Sequence, residues 1–380
     1  MLKKHVETEA WDDRSSNKEQ QYLTHGAFRY FGKLPPTLTR KILGIQGVGG
    51  KGSRDYVELM CGSGTGILEA LLLGANATGV DCNPLALLAC RVKTTPLATA
   101  ELDEIVRQFR AALAAGRIEA SKPAPPIRNL DKWFNPAAQA GLAALRDWID
   151  GLRAGPSTDV LRLAMASSVR PCSNASVRTG RLFHDVDKTP PAPMEEFEKR
   201  LVRLCNSIAG LQGSNIDKQS TCLVEADARA TGLPDGAFQA GLCHPPYFAL
   251  YRYSSDVLRF ELEWMGFDRG KVSSAEIEDG FKTTDETLVE DYVRDLVAVA
   301  VEARRLIVKK GTFAVITADS TLRKDRLSVI KPFIAGAEGV GWKLERHAVR
   351  KVHFAQSSYH RSADPEIVRP EDEVLIFRAR

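Results

Sequence analysis

Residues 55–66 read Asp55-Tyr-Val-Glu-Leu-Met-Cys-Gly-Ser-Gly-Thr-Gly66, and residues 77–84 read Ala77-Thr-Gly-Val-Asp-Cys-Asn-Pro84. The first run is apolar from Asp55 to Met60 apart from its acidic members, as a strand buried on both faces would be. The loop Cys61–Gly66 then opens a helix from Ile67 to Leu73, which Gly74 stops. A second short strand follows at 77–81. Asn83-Pro84 starts another helix, with proline at a first-turn position where its missing N–H costs nothing. Strand, glycine-rich loop, helix and strand within so short a span make a βαβ unit, which implies a parallel sheet.

Beyond this unit, strand signals recur at 222–226, 237–242, 312–317 and 373–377, and a helix is expected over 289–308. Alternating strands and helices predict an α/β, Rossmann-like, doubly wound and mostly parallel sheet. Residues 95–215 differ: rich in Ala, Leu, Arg and Pro, they carry helical periodicity around Leu142, Leu145, Trp148, Ile149 and Leu152 and no strand run. They are expected to be a mainly helical insertion between 25–94 and 216–380, which would together form the sheet domain. Residues 1–24 read as a polar, frayed arm without the apolar core of a secretory signal. Gly47-Val-Gly-Gly-Lys-Gly-Ser53 precedes a strand instead of joining strand to helix, so it reads as a flexible connection and not as a phosphate-binding loop.

Composition sets the outer bounds. The 380 residues are 44% hydrophobic and 26% charged, in the range of a folded globular protein. The chain holds no uninterrupted apolar run of about 18 residues, so no membrane helix is expected. The seven cysteines form no C-x-x-C pair. That argues against structural zinc and against a disulfide framework, and fits the cytoplasm. No metal is expected. Net charge of +4 neither demands nor excludes a nucleic-acid partner.

Three acids stand at or just past successive strand ends: Glu58, Asp81 and Asp227. Glycine is needed where backbone must take a positive φ or approach a ligand closely, which makes Cys61, Gly62, Gly64 and Thr65 of the loop candidate contacts. An acid at the tip of the second strand can accept both hydroxyls of a ribose, in a dinucleotide or in S-adenosylmethionine (SAM). The loop lacks the G-x-G-x-x-G spacing of a pyrophosphate site. Glu58 could face a cationic methionine amine, and Asp227 an adenine amino group. These features favour SAM, with Cys82 and Ala228 as neighbours of the second and third acids.

A final segment, Gly241-Leu-Cys-His-Pro-Pro-Tyr247, follows a strand. With it the chain resembles the amino-methylating DNA methyltransferases, whose motif is an Asp, Asn or Ser before Pro-Pro and an aromatic. The resemblance runs from Phe31-Gly-Lys-Leu-Pro-Pro36, similar to the family's N-terminal cofactor segment, to the last strand Glu373–Phe377. The stretch after the motif and the Trp133-Phe134 segment are most like the N4-cytosine branch. The resemblance implies SAM as cofactor, with Phe31 and Lys33 beside it, and double-stranded DNA as partner. A companion from a restriction or defence system is a further expectation. It also implies that the side chain of His244 and the carbonyl of Pro245 accept from the target amine, that Pro246 belongs to the same catalytic motif, and that Tyr247 stacks on an extruded base.

His244 departs from the family pattern, yet a neutral imidazole accepts one hydrogen bond. A Cys243 nucleophile is rejected, because cysteine-dependent enzymes carry a Pro-Cys pattern; Cys243 is expected to end a buried strand. Arg170, Arg178 and Arg181 in the insertion, and Arg323 and Lys324 in a basic stretch over 321–353, are candidate phosphate contacts. Trp133, Trp148 and Trp264 read as core. Two other readings stay open: an RNA base methyltransferase, and an inactive SAM-fold protein that binds nucleic acid.

Overall fold

The structure, a computed structural model, describes residues 6–12, 15–16, 18–49, 55–214, 216–248, 252–277, 287–322, 325–351 and 371–380. Its strands are β1 Thr8–Asp12, β2 Tyr56–Leu59, β3 Ala77–Asp81, β4 Thr221–Glu225, β5 Phe238–Cys243, β6 Ile307–Thr317, β7 Ser320–Leu322, β8 Asp325–Leu327, β9 Trp342–Lys351 and β10 Glu371–Ala379. The helices are α1 Pro36–Ile45, α2 Thr65–Leu72, α3 Pro84–Thr94, α4 Thr99–Ala114, α5 Leu130–Trp133, α6 Pro136–Asp150, α7 Pro156–Val169, α8 Pro193–Ala209, α9 Arg259–Trp264, α10 Arg269–Ala275, α11 Thr287–Leu306 and α12 Ile330–Gly339.

Strands β4-β3-β2-β5-β6 run parallel, with Tyr56 opposite both Ala77 and Ala240. β10 is antiparallel to β6 and to β9, and β1 adds to β9 in parallel at the edge. β7 and β8 form a separate hairpin. The chain leaves β2 toward β3 and β4, then returns to β5 on the other side of β2. The topological switch therefore lies between β2 and β5, where such sheets bind ligands at their carboxyl ends.

Alternation along the strands builds two cores. Tyr56, Ala240, Leu242, Ala314 and Ile316 face α1 and α2, while Val57, Leu59, Cys243, Phe313 and Val315 face α11 and α12. A third core joins α4, α6, α7, α8 and α9 to the outer side of α3, through Leu85, Leu88, Ala89 and Val92. Residues 99–209 thus form a helical layer with no strand; Trp264 is buried in the core it shares with α9, and Trp133 and Trp148 pack against that core half-buried.

Three details differ from the sequence expectations. The polar arm is held, not frayed, at 8–12: Thr8–Asp12 pairs with His347–Lys351 and buries Trp11. An edge strand with one apolar residue facing in gives too short a pattern to read. β6 starts at Ile307, so the end of the expected helix 289–308 is already strand. Lys310 takes φ 65°, and a Cβ on Gly311 would lie 2.4 Å from Ile307 Cγ2; this irregular turn separates the two halves of β6. Finally, β9 occupies 342–351, which the sequence shows only as part of a basic stretch.

Candidate active site

The loop after β2 is shaped by steric exclusion. Met60 (φ 62°), Gly62 (φ 50°) and Gly64 (φ 75°) turn the chain out of the strand, and a positive φ at a side-chain-bearing residue is strain of the kind found at functional sites. A Cβ on Gly64 would stand 2.2 Å from the Sγ of Cys90 in α3, and one on Gly66 would stand 2.4 Å from Glu58 Oε2. α2 can therefore approach α3 and β2 only with glycine at both positions. Buried Lys93 of α3 donates to the carbonyl of Ser63 at 2.7 Å and ties the loop down; burial lowers its pKa to about 7.

Asp81 ends β3 as the hub of the loop. Its Oδ2 accepts from Gly62 N at 2.8 Å and its Oδ1 from Asn83 N at 2.9 Å, while burial raises its pKa to about 6. Asn83 Oδ1 caps α3 by accepting from Leu85 N. Glu58 is 3% exposed, and burial lifts its carboxyl to about 8. Glu58 Oε2, Ser63 Oγ, Thr65 Oγ1 and Asn83 Nδ2 are buried without a protein partner. Buried polar atoms seldom go unpaired, so this cluster is arranged for a polar ligand.

Residues 20–46 cover the loop. Glu69 of α2 accepts from Tyr22 Oη, from His25 Nε2 at 2.8 Å and from Arg40 Nε at 2.7 Å, which clamps this segment on α2. Tyr30 stacks on Tyr253 with ring centroids 5.2 Å apart and lies over Gly62. Lys33 donates to His25 O at 2.5 Å, and burial lowers its pKa to about 8. Phe31 does not meet the expectation of a cofactor contact. Its ring lies under the guanidinium groups of Arg29 and Arg170, and its carbonyl accepts from Tyr253 Oη.

Beside the loop, Cys243 ends β5 as a buried residue paired with Leu59, and His244-Pro245-Pro246-Tyr247 follow. Tyr247 Oη donates to Asp372 Oδ1 at 2.8 Å and meets His244 Nε2 at 3.3 Å. Asp372 of β10 also pairs with Arg350, its cross-strand neighbour on β9. Tyr292 of α11 donates to Pro246 O at 2.7 Å. Burial lowers the pKa of His244 to about 4, so its imidazole is neutral at physiological pH.

A single cavity of about 380 Å³ unites the two halves, which is within the size range of small-molecule sites. Its walls include Lys33, Glu58, Cys61, Gly62, Thr65, Asp81, Cys82, Asp227, Ala228, His244, Pro245, Pro246 and Tyr247. Gly64 lies behind the wall, in its packing role against Cys90. Asp227 enters as a carboxylate already engaged by Arg229, which also reaches Asp295. Sequence reasoning missed Tyr30, Ser63, Asn83, Tyr253, Arg350 and Asp372, all of which line the cavity. Asn83 carried a signal in Asn-Pro before a helix; Arg350 and Asp372 carried none, because only the β9–β10 register brings them here.

The candidate phosphate contacts divide. Arg170 is 5% exposed, and its guanidinium donates to the carbonyls of Thr179, Gly180 and Val257. That corrects the expectation, because Arg170 holds the 176–184 loop together instead of facing solvent. Arg178 is exposed and Arg181 half-buried. Arg323 and Lys324 lie outside the described residues. Among the described residues, no cluster of His, Cys, Asp and Glu is suited to a metal ion, and no helix is long and apolar enough to cross a membrane.

No protein-family model matches the chain. The Type II methyltransferase M.MvaI of Kocuria varians is 25% identical over 249 residues, covering 61% of this chain and 54% of that protein. The chain thus spans about half the length of the curated relative it matches. Among solved structures, TrmN from Thermus thermophilus is 12% identical, with 95% of this chain and 53% of that chain covered at a TM-score of 0.38. The cyclase SpnF is 8% identical, with 93% and 86% covered at a TM-score of 0.38. Both likenesses are too distant to bear on function.

Proposed function

We propose that the chain is a SAM-dependent DNA methyltransferase that modifies an exocyclic base amino group, N4 of cytosine in double-stranded DNA. The observation that carries this reading is the shared cavity: the strand-end acids and the His-Pro-Pro-Tyr turn line one space at the switch point of the sheet. Kinship with a Type II methyltransferase supports the reaction class. The N4 assignment rests on the sequence resemblance to that branch.

The residues present fit the cofactor. Glu58, with a buried unpartnered oxygen, suits the methionine ammonium group, and Lys33 suits its carboxylate. Asp81 suits the ribose hydroxyls, and Asp227 the adenine edge. When bound, SAM supplies a methyl group already activated by its sulfonium. The protein's task is then orientation of the amine. An exocyclic amine is a poor nucleophile, because its lone pair is delocalised into the ring. His244 and the Pro245 carbonyl each accept one of its hydrogens, which turns the lone pair out of the ring plane. Proline fixes the direction of that carbonyl, and the Tyr247 ring supports the extruded base.

The test is transfer of labelled methyl from SAM to double-stranded DNA, single-stranded DNA and total RNA, followed by nucleoside mass spectrometry. N4-methylcytosine in duplex DNA is the expected product. N6-methyladenine in DNA would correct the base. Product in RNA alone would replace the substrate. SAM binding with no product on any of the three would overturn the assignment of an active transferase.

A further inference from the structure

We propose that Asp372, acting through Tyr247, holds the His244 imidazole in the tautomer that carries its proton on Nε2, leaving Nδ1 as the acceptor for the target amine. This makes Asp372 a positioning residue, and its catalytic consequence rests on the functional reading above. Asp372 Oδ2 takes the Arg350 guanidinium, so the carboxylate is an acceptor only. A phenol has one proton, and the 2.8 Å contact to Asp372 Oδ1 uses it. The face of the Tyr247 oxygen toward His244 is then a lone pair, and the 3.3 Å contact is favourable only if Nε2 carries hydrogen. A neutral imidazole has one N–H, so Nδ1 is bare.

The chemistry closes on that atom. The target nitrogen donates one N–H to Nδ1. Were a bound SAM to supply its methyl, the S–CH3 bond would break with its pair left on the departing sulfur, the amine N–H would break with its pair kept by nitrogen, and the proton would form an Nδ1–H bond. The imidazolium then returns its proton to water. With the other tautomer Nδ1 would already hold a hydrogen aimed at the amine, and acceptance would fail. The Arg350–Asp372 pair sits directly across β9 and β10, so the orientation comes from strand register, far from the motif in sequence.

Two measurements test this. Nitrogen-15 NMR of the full chain, with His244→Gln for assignment, is expected to show Nε2 protonated and Nδ1 bare at neutral pH. In Asp372→Asn, Arg350 takes the amide oxygen and the NH₂ faces Tyr247. The phenol then turns its proton to Nε2, and the signals should exchange tautomers. On labelled methyl transfer that variant should lose about 100-fold or more in kcat with unchanged SAM affinity, in line with amide replacements of orienting carboxylates elsewhere. Adding Tyr247→Phe to Asp372→Asn should restore about tenfold, because it frees the misdirected imidazole, a non-additivity that plain structural damage would not produce.

A wild-type spectrum with Nδ1 protonated, or a folded Asp372→Asn protein within about threefold of wild type, would overturn the proposal. If that variant does not fold, the wild-type spectrum still decides. Failure of the functional reading looks different: the wild type would transfer no methyl to any nucleic acid while its Nε2–H tautomer remained.

Discussion

Among the ionisable side chains that line the cavity, Glu58 and His244 respond to pH in opposite senses. Glu58 is protonated in the free protein below about 8 because burial disfavours its charge. Pairing with a cationic amine requires it to lose that proton. The Glu58 contribution to SAM affinity should therefore weaken as pH falls from 7.5 to 6, by up to about tenfold per unit, and Glu58→Gln should reduce the slope by that contribution; titration calorimetry across that window checks both. His244 behaves oppositely, since burial keeps it neutral and ready to accept throughout that range. His244→Ala should abolish methyl transfer while SAM binding stays within about twofold. Asp81→Ala should abolish SAM binding itself, because Asp81 also holds Gly62 and Asn83 in place. Unchanged calorimetric affinity in that variant would move the ribose site elsewhere.

At the scale of elements, the covering segment and α2 act as one body through Glu69. His25 is fully buried beside it, and burial lowers the His25 pKa to about 4. Below pH 6.5 the unfolded chain binds a proton that folded His25 refuses until about 4. Stability is thus present above 6.5 and lost as pH falls to 4, by about 3 kcal/mol. Chemical denaturation across that range should show the loss, and His25→Gln should remove most of it. The α2–α3 contact makes an independent demand for glycine. Gly64→Ala brings both a left-handed strain and an overlap with Cys90 Sγ, together costing about 2–4 kcal/mol. A fall in thermal midpoint of several degrees would register it.

Across the whole molecule, the helical layer and the sheet share α3, so they are not separable modules. The layer's outer loop divides its cations by burial. Arg170→Ala should lower the thermal midpoint by freeing the carbonyls of Thr179, Gly180 and Val257. Arg178→Ala should leave the midpoint in place and reduce the salt slope of DNA binding by about 1. Melting curves and salt-titrated binding of the two variants separate the roles; equal salt slopes for wild type and Arg178→Ala would remove that side chain from the interface.

Local features are readable from the residues alone. The βαβ unit, the helical run of 95–215, the strand-end acids and the Pro-Pro turn are legible because periodicity, glycine sterics and proline geometry act over a few residues. β1 and β9 were not, since a strand facing mostly polar surroundings carries no alternation that differs from a charged surface run. Which cations are buried, as with Arg170 against Arg178, and which side chains complete the cavity follow from long-range packing. Asp372 reaches Tyr247, and Arg350 reaches Asp372, because β10 pairs antiparallel with β6 and β9. That neighbourhood is a property of sheet register between distant segments, and no local pattern encodes it.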